Sequence, residues 1–243
     1  MHYAIVADIH ANLDAFNVVL EDIDKRGGVE EIWCLGDIIG YGPDPHQCIE
    51  RLHQYKHVCV AGNHDWAAIG KMDTSYFNPD AAAACHWTAK QLSPEEIQYL
   101  ESLPLTIEKD GFLLVHGSPR DPIWEYIAST SIARENFAFF QSQYCLVGHS
   151  HVPVIFKDED GSCSFTKFLP NIGLALGSSR LIINPGGVGQ PRDGDPRASY
   201  AIYDSDTKLV RLYRIPYDIA ATQDKMMQAG LPVHLVVRLN YGM

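Results

Sequence analysis

The chain has 243 residues, 46% of them hydrophobic and 20% charged, a balance that suits a packed globular protein and excludes an intrinsically disordered one. Thirty acidic side chains against 19 basic ones give a formal charge of −11, which argues against nucleic acid or an anionic membrane as a partner. No apolar run approaches the ~20 residues that cross a bilayer, no secretion-signal pattern flanks the first apolar run, and none of the six cysteines forms a C-x-x-C pair. The expectation is a cytoplasmic protein with reduced thiols.

In chain order, five short apolar runs at residues 3–7, 32–35, 58–61, 112–115 and 144–147 have the length of buried strands. A helix is expected from Asn12 as N-cap, with Leu13, Phe16, Leu20 and Ile23 on one face and its end near Gly27. Further helices are expected at 44–55, at 79–102 with a fresh start at Ser93-Pro94, and at 131–141. After residue 151 the texture changes to strands at 152–156, 162–168, 180–183, 198–203 and 208–215, separated by turns at 158–161 and 204–207, with a helix at 218–229. The segment after Pro232 carries no signal. The alternation predicts an α/β fold, a second sheet facing the first with helices outside, and a single domain spanning 1–243.

Each of the five apolar runs is followed at once by a potential metal ligand: YAIVA-DIH, IWCL-GD, VCVA-GNHD, FLLV-HGS and YCLV-GHSH. Sites in α/β sheets form at the carboxyl ends of strands, so these groups are expected to converge on one rim. The pairs Asp8/His10 and His149/His151 point the same way if the chain stays extended, because side-chain direction repeats every two residues. Asp37 has two oxygens and can bridge two ions, Asn63 offers a neutral carbonyl oxygen, and His116 completes the set. With Asp37 shared, the seven side chains supply four donors to each of two ions and leave room for a substrate oxygen. Imidazole and oxygen donors without thiolate suit manganese, iron or zinc.

These five blocks, in this order, resemble the signature of the calcineurin-like metallophosphoesterases, D-x-H, G-D-x-x, G-N-H-[DE], a later H and G-H-x-H. The resemblance implies a four-layer α/β/β/α sandwich of two facing mixed sheets flanked by helices. It implies Asp8, His10, Asp37 and His151 as ligands of one metal, and Asp37, Asn63, His116 and His149 as ligands of the other. His64 resembles the family histidine that stabilises the transition state or protonates the leaving oxygen, with Asp65 as its candidate partner. Asn184-Pro185-Gly186-Gly187 resembles the family's N-P-G-S turn, with Gly187 in place of Ser. Gly40 and Tyr41 stand where the protein phosphatases of this family carry Asp-Arg, which directs the resemblance to the small bacterial and archaeal phosphodiesterase-like branch.

Two divalent ions lower the pKa of a bridging water and clamp the phosphoryl oxygens, so the expected reaction is in-line attack of a bridging hydroxide on a phosphomonoester or phosphodiester. Asp37 and His64 are then the catalytic side chains. Arg192 and Arg197 are the candidate phosphate-binding cations, with Asn63 and Asn12 as further substrate contacts and Tyr41 and Arg120 as rim candidates. The substrate expected from the resemblance is a small nucleotide-type molecule such as a dinucleoside polyphosphate. A serine/threonine-type protein phosphatase and a metal-binding interaction module stand as the alternatives.

Overall fold

The computed structural model describes residues 1–243 and contains twelve strands. These are β1 (His2–Val6), β2 (Glu31–Cys34), β3 (His57–Cys59), β4 (Thr106–Lys109), β5 (Phe112–Val115), β6 (Tyr144–Leu146), β7 (Val154–Glu159), β8 (Ser162–Lys167), β9 (Gly173–Ala175), β10 (Leu181–Asn184), β11 (Ala198–Asp204) and β12 (Leu209–Ile215). They form two six-stranded sheets, ordered β3-β2-β1-β11-β12-β9 and β4-β5-β6-β10-β7-β8. Parallel pairs join β1, β2 and β3 in one sheet and β5, β6 and β10 in the other, and antiparallel strands extend each sheet outward.

Alternation along the strands divides the core. Tyr3, Ile5 and Ala7 face the interior between the sheets with Trp33, Leu35, Phe112, Leu114, Leu146 and Ile183. Ala4, Val6, Ile32 and Cys34 face outward onto α1 (Leu13–Lys25) and α2 (Pro45–His53), which present Phe16, Val19, Leu20, Ile23, Ile49 and Leu52. Both faces of the central strands are covered, which is why they read as unbroken apolar runs. The next helices are α3 (Asn63–Ala68), α4 (Pro79–Ala89), α5 (Pro94–Ser102) and α6 (Thr130–Asn136). Ala133 of α6, with Phe137 and Phe140 after it, covers Leu113, Cys145 and Ile182 on the outer face of the second sheet. The four layers expected are therefore present.

Three expectations change. The boundary between sheets does not fall at residue 151: β4, β5 and β6 already belong to the second sheet, while β9, β11 and β12 return to the first. The edge strands β4 and β9, short and only partly buried, leave no apolar run in the sequence. After α7 (Ile219–Gln228) comes α8 (Val233–Val237), in the segment without a sequence signal, and Leu235, Val236 and Leu239 pack with Met226, Ala81 and Ala84 against Tyr41.

Trp33 is fully buried at the middle of the inter-sheet layer, 4.8 Å from the Tyr3 ring and 5.4 Å from Phe112, which belongs to the opposite sheet. Its indole N–H donates to Glu31 at 3.0 Å, and Lys109 of β4 meets the same carboxylate at 2.5 Å. Trp33→Ala is expected to lower unfolding free energy in urea by about 3–5 kcal/mol, through lost burial and a residual cavity. A loss below about 1 kcal/mol would contradict this role for Trp33 in joining the sheets.

Candidate metal centre

The strand ends carry the site, and two sheets rather than one supply it. Asp8 and His10 follow β1, Asp37 follows β2, and Asn63 and His64 open α3 after β3; His116 follows β5, and His149 and His151 follow β6. The chain is not extended at the paired motifs. Asp8 (φ 54°), His10 (φ 50°), Asp37 (φ 53°), His149 (φ 63°) and His151 (φ 58°) all take the left-handed conformation, which turns their side chains inward. Such a backbone is uncommon outside glycine and persists where surrounding structure enforces it. Here the loops after β1 and β2 are locked by Asp8 N–H to Gly36 carbonyl at 3.1 Å and His10 N–H to Asp37 carbonyl at 2.9 Å.

Four histidines have their ring protons assigned by geometry. His10 Nδ1 donates to the Ile39 carbonyl (3.2 Å), His116 Nδ1 to Leu35 (2.8 Å), His151 Nδ1 to Gln190 (2.5 Å) and His149 Nε2 to Trp124 (3.0 Å). A carbonyl only accepts, so in each neutral ring the other nitrogen is a lone pair facing inward. His10 Nε2 then faces His151 Nε2 at 3.2 Å, and His116 Nε2 faces His149 Nδ1 at 3.2 Å. Two lone pairs at that distance repel, and a cation between them removes the conflict.

The carboxylates make the same point. Asp37 Oδ1 accepts the His64 backbone N–H at 2.8 Å, while Asp37 Oδ2 is buried without any hydrogen-bond partner, 3.6 Å from His10 Nε2 and 3.4 Å from His116 Nε2. Asp8 Oδ1 accepts the His149 N–H at 3.1 Å, and Asp8 Oδ2 is buried and unpartnered. Burial pushes the Asp8 carboxyl up to about 7 and, with the nearby Asp65, holds Asp37 well above the usual carboxylate range. Burial likewise drives His10, His149 and His151 well below the ordinary imidazole value, which favours their neutral, ligating form. Ligand atoms of Asp8, His10 and His151, and of Asp37, His116 and His149, gather within 4.8 Å of one another. Asn63 Oδ1 lies 3.0 Å from His116 Nε2, on the second group's side. This donor set fits divalent cations.

The supporting shell differs from expectation. The Asp65 carboxylate makes no hydrogen bond to the His64 ring; it accepts the backbone N–H groups of Asp37 (2.9 Å), Gly62 (3.0 Å) and Ile39 (3.3 Å), tying α3 to the Asp37 loop. Gly62 is required there, since a Cβ would lie 2.0 Å from Asp37 Oδ1. His64 and Asn63 sit in the first turn of a helix, and a ring nitrogen of His64 lies within 4.8 Å of His10 and Asp37 ligand atoms. Cys85 of α4 reaches His64 Nδ1 at 3.2 Å. Asn184 braces the His149-Ser150-His151 turn by donating to the Gly148 carbonyl at 2.6 Å and to Ser150 Oγ at 3.0 Å.

Of the two candidate arginines, the structure brings one to the cluster. The Arg192 guanidinium contacts Gln190 Oε1 at 2.9 Å and the Tyr41 hydroxyl at 3.4 Å, and its charge acts on Asp8, His10, Asp37, His64 and His151. It has no carboxylate partner, because its neighbour Asp193 is paired with the buried Arg214. Arg197 is instead bound at 2.6 Å to Asp195, and Arg120 is engaged by Glu125 and Glu135. Asn12 caps α1 through Ala15 N–H (3.1 Å) and donates to the Gly189 carbonyl (2.8 Å), so both ends of its amide are used within the fold. Aromatic rings rim the centre: Tyr126 stacks on His149 at 3.7 Å, Phe77 on His64 at 5.0 Å, and Trp124 on Phe77 at 5.2 Å.

A profile of the calcineurin-like phosphoesterase superfamily domain matches residues 1–208. The crystal structure of a metallophosphoesterase from Sphaerobacter thermophilus is 47% identical, with a TM-score of 0.91 over 100% of this chain and 99% of that one. An uncharacterized protein of Methanocaldococcus jannaschii is 38% identical over 98% of this chain and 97% of its own length. A symmetrical bis(5'-nucleosyl)-tetraphosphatase of Haemophilus ducreyi is 27% identical over 57% of this chain, a match that spans 52% of that protein.

Because Asp8 holds its proton up to about pH 7 when no cation is present, metal uptake at pH 6 must displace it. Calorimetric titration with manganese is expected to show proton release at pH 6 and affinity rising about tenfold or more per pH unit below 7, since Asp37 too is held well above the usual carboxylate range. Affinity independent of pH from 5.5 to 8 would contradict the protonated, cation-free Asp8. Asp37→Asn is expected to lower bound metal, because the amide replaces an anionic oxygen shared by both groups.

Proposed function

The chain belongs to the calcineurin-like phosphoesterase superfamily, a family of phosphoric ester hydrolases, and from that premise we propose that residues 1–243 act as a single domain that hydrolyses a small nucleotide-type phosphoester at a binuclear metal centre. The observation that carries the reading is the buried, unpartnered Asp37 Oδ2 between two pairs of inward-facing imidazole lone pairs. Asp8, His10, Asp37 and His151 would hold one ion, and Asp37, Asn63, His116 and His149 the other, a donor set suited to manganese, iron or zinc. When bound, such ions supply Lewis-acid activation of water and of the phosphoryl oxygens.

The chain's own residues do the rest. Arg192, without a carboxylate and flanked by Tyr41 and Tyr126, offers its planar fork to the phosphoryl oxygens. His64, 4% exposed, is held at the edge of the cluster to give a proton or hydrogen bond to the leaving oxygen. The rim supports an aromatic leaving group, since Tyr126 is 41% exposed and Tyr76, whose ring lies 6.4 Å from Trp124, is 72% exposed. The partial match to symmetrical tetraphosphatases supports the same substrate class. No helix is long and apolar enough to cross a membrane. The six unpaired cysteines support a cytoplasmic setting.

Purified protein loaded with manganese is expected to hydrolyse bis-p-nitrophenyl phosphate, p-nitrophenyl phosphate or a dinucleoside tetraphosphate, and to lose that activity on chelation. Turnover unaffected by chelation, or none on these substrates with both ions bound, would overturn the proposal. His64→Ala is expected to keep its metal while kcat falls roughly 100-fold. Arg192→Ala is expected to raise KM by about tenfold or more, in line with loss of a charge-assisted phosphate contact.

A further inference from the structure

We infer that Cys85 is the positioning residue for His64, taking the place left by the carboxylate that is absent at Gly40. The inference rests on the proposed role of His64. His64 is 4% exposed, its Nδ1 has a single hydrogen-bonding contact, and that contact is Cys85 Sγ at 3.2 Å. Cys85 is fully buried on α4, far in sequence from every ligand motif.

Gly40 explains why the thiol is needed. Its φ of +88° suits glycine, and a Cβ at this position would lie 2.7 Å from His64 Nδ1 and 2.9 Å from His64 Cβ. The imidazole therefore occupies the space that a side chain at position 40 would fill, and no acidic side chain can approach Nδ1 from that strand end. Asp65, the nearest acid in sequence, has both oxygens committed to the backbone N–H groups of Asp37, Gly62 and Ile39. The ring is held between Tyr41 at 4.2 Å and Phe77 at 5.0 Å, and the thiol closes the remaining polar edge.

The chemistry of a thiol differs from that of a carboxylate. Burial pushes the Cys85 thiol up, so it remains S–H. With the S–H donating to the Nδ1 lone pair, as we infer, the ring's own proton sits on Nε2, the nitrogen left free for a leaving oxygen. The thiol thus fixes both the rotamer and the tautomer of His64 without adding a negative charge beside a cluster that already buries Asp8, Asp37 and Asp65.

The test compares Cys85→Ala with Cys85→Ser in the full-length zinc-loaded protein. Cys85→Ala is expected to lower kcat roughly tenfold or more, with KM and bound metal unchanged, and Cys85→Ser, whose hydroxyl can donate to the same nitrogen, to recover most of it. Two-bond proton–nitrogen NMR of the His64 ring gives a readout that does not depend on turnover. The Nε2–H form is expected in the wild type and in Cys85→Ser, and mixed tautomers in Cys85→Ala. The inference is overturned if Cys85→Ala keeps the wild-type kcat, if it loses metal together with activity, or if the His64 tautomer is the same in all three proteins. A wild type inactive on every phosphoester would defeat the proposed function, and the NMR comparison would then decide the Cys85 contact alone.

Discussion

One buried oxygen organises this protein. Asp37 Oδ2 has no hydrogen-bond donor, and around it four imidazoles have committed their N–H groups to backbone carbonyls. An anionic atom in a low-dielectric interior surrounded by acceptors is strongly unfavourable unless a cation joins it. Binding of divalent ions turns every one of these penalties into a stabilising contact, so the site is built for the ion-bound state. Five left-handed ligand backbones, each costing roughly 1–3 kcal/mol in an unconstrained chain, are part of the same arrangement.

The fold keeps that arrangement rigid by making each sheet responsible for part of it. The first sheet delivers Asp8, His10 and Asp37, and the second delivers His116, His149 and His151. Asp37 is the group shared between them. The distance between the ligands on either side of Asp37 Oδ2 therefore depends on how the sheets pack, and the aromatic layer of Tyr3, Trp33, Phe112 and Tyr203 fixes that packing. Asp65 on α3 joins the third strand end to the second, and Asn184 joins the β10 end to the β6 turn. Stability and function are coupled here through geometry rather than through any single strong bond.

Much of this was legible in the sequence because strands buried on both faces leave unbroken apolar runs, and a ligand type after each run stands out against them. The strand-end side chains that gather in the cluster, the helix cap at Asn12, the fresh helix start at Ser93-Pro94 and the four-layer class all follow from local pattern and resemblance. What was not legible depends on contacts that leave no periodic trace. Backbone carbonyls of Leu35, Ile39, Trp124 and Gln190 orient the histidines, and a carbonyl is present at every residue. The sheet assignment of β5 and β6 depends on long-range pairing, and Arg192 and Arg197 look alike until Asp195 is seen to engage one of them. Cys85 reads as one more buried thiol, and the C-terminal α8 packs on Tyr41 through side chains whose partners lie almost 200 residues away.

We propose that Asp37 bridges two cations, each held by side chains from both sheets. Anomalous diffraction from crystals soaked in manganese, collected above and below the metal edge, tests it most directly. Two peaks that share Asp37 are expected, one also bounded by Asp8, His10 and His151 and the other by Asn63, His116 and His149. A single peak, or peaks that do not share the Asp37 carboxylate, would contradict it.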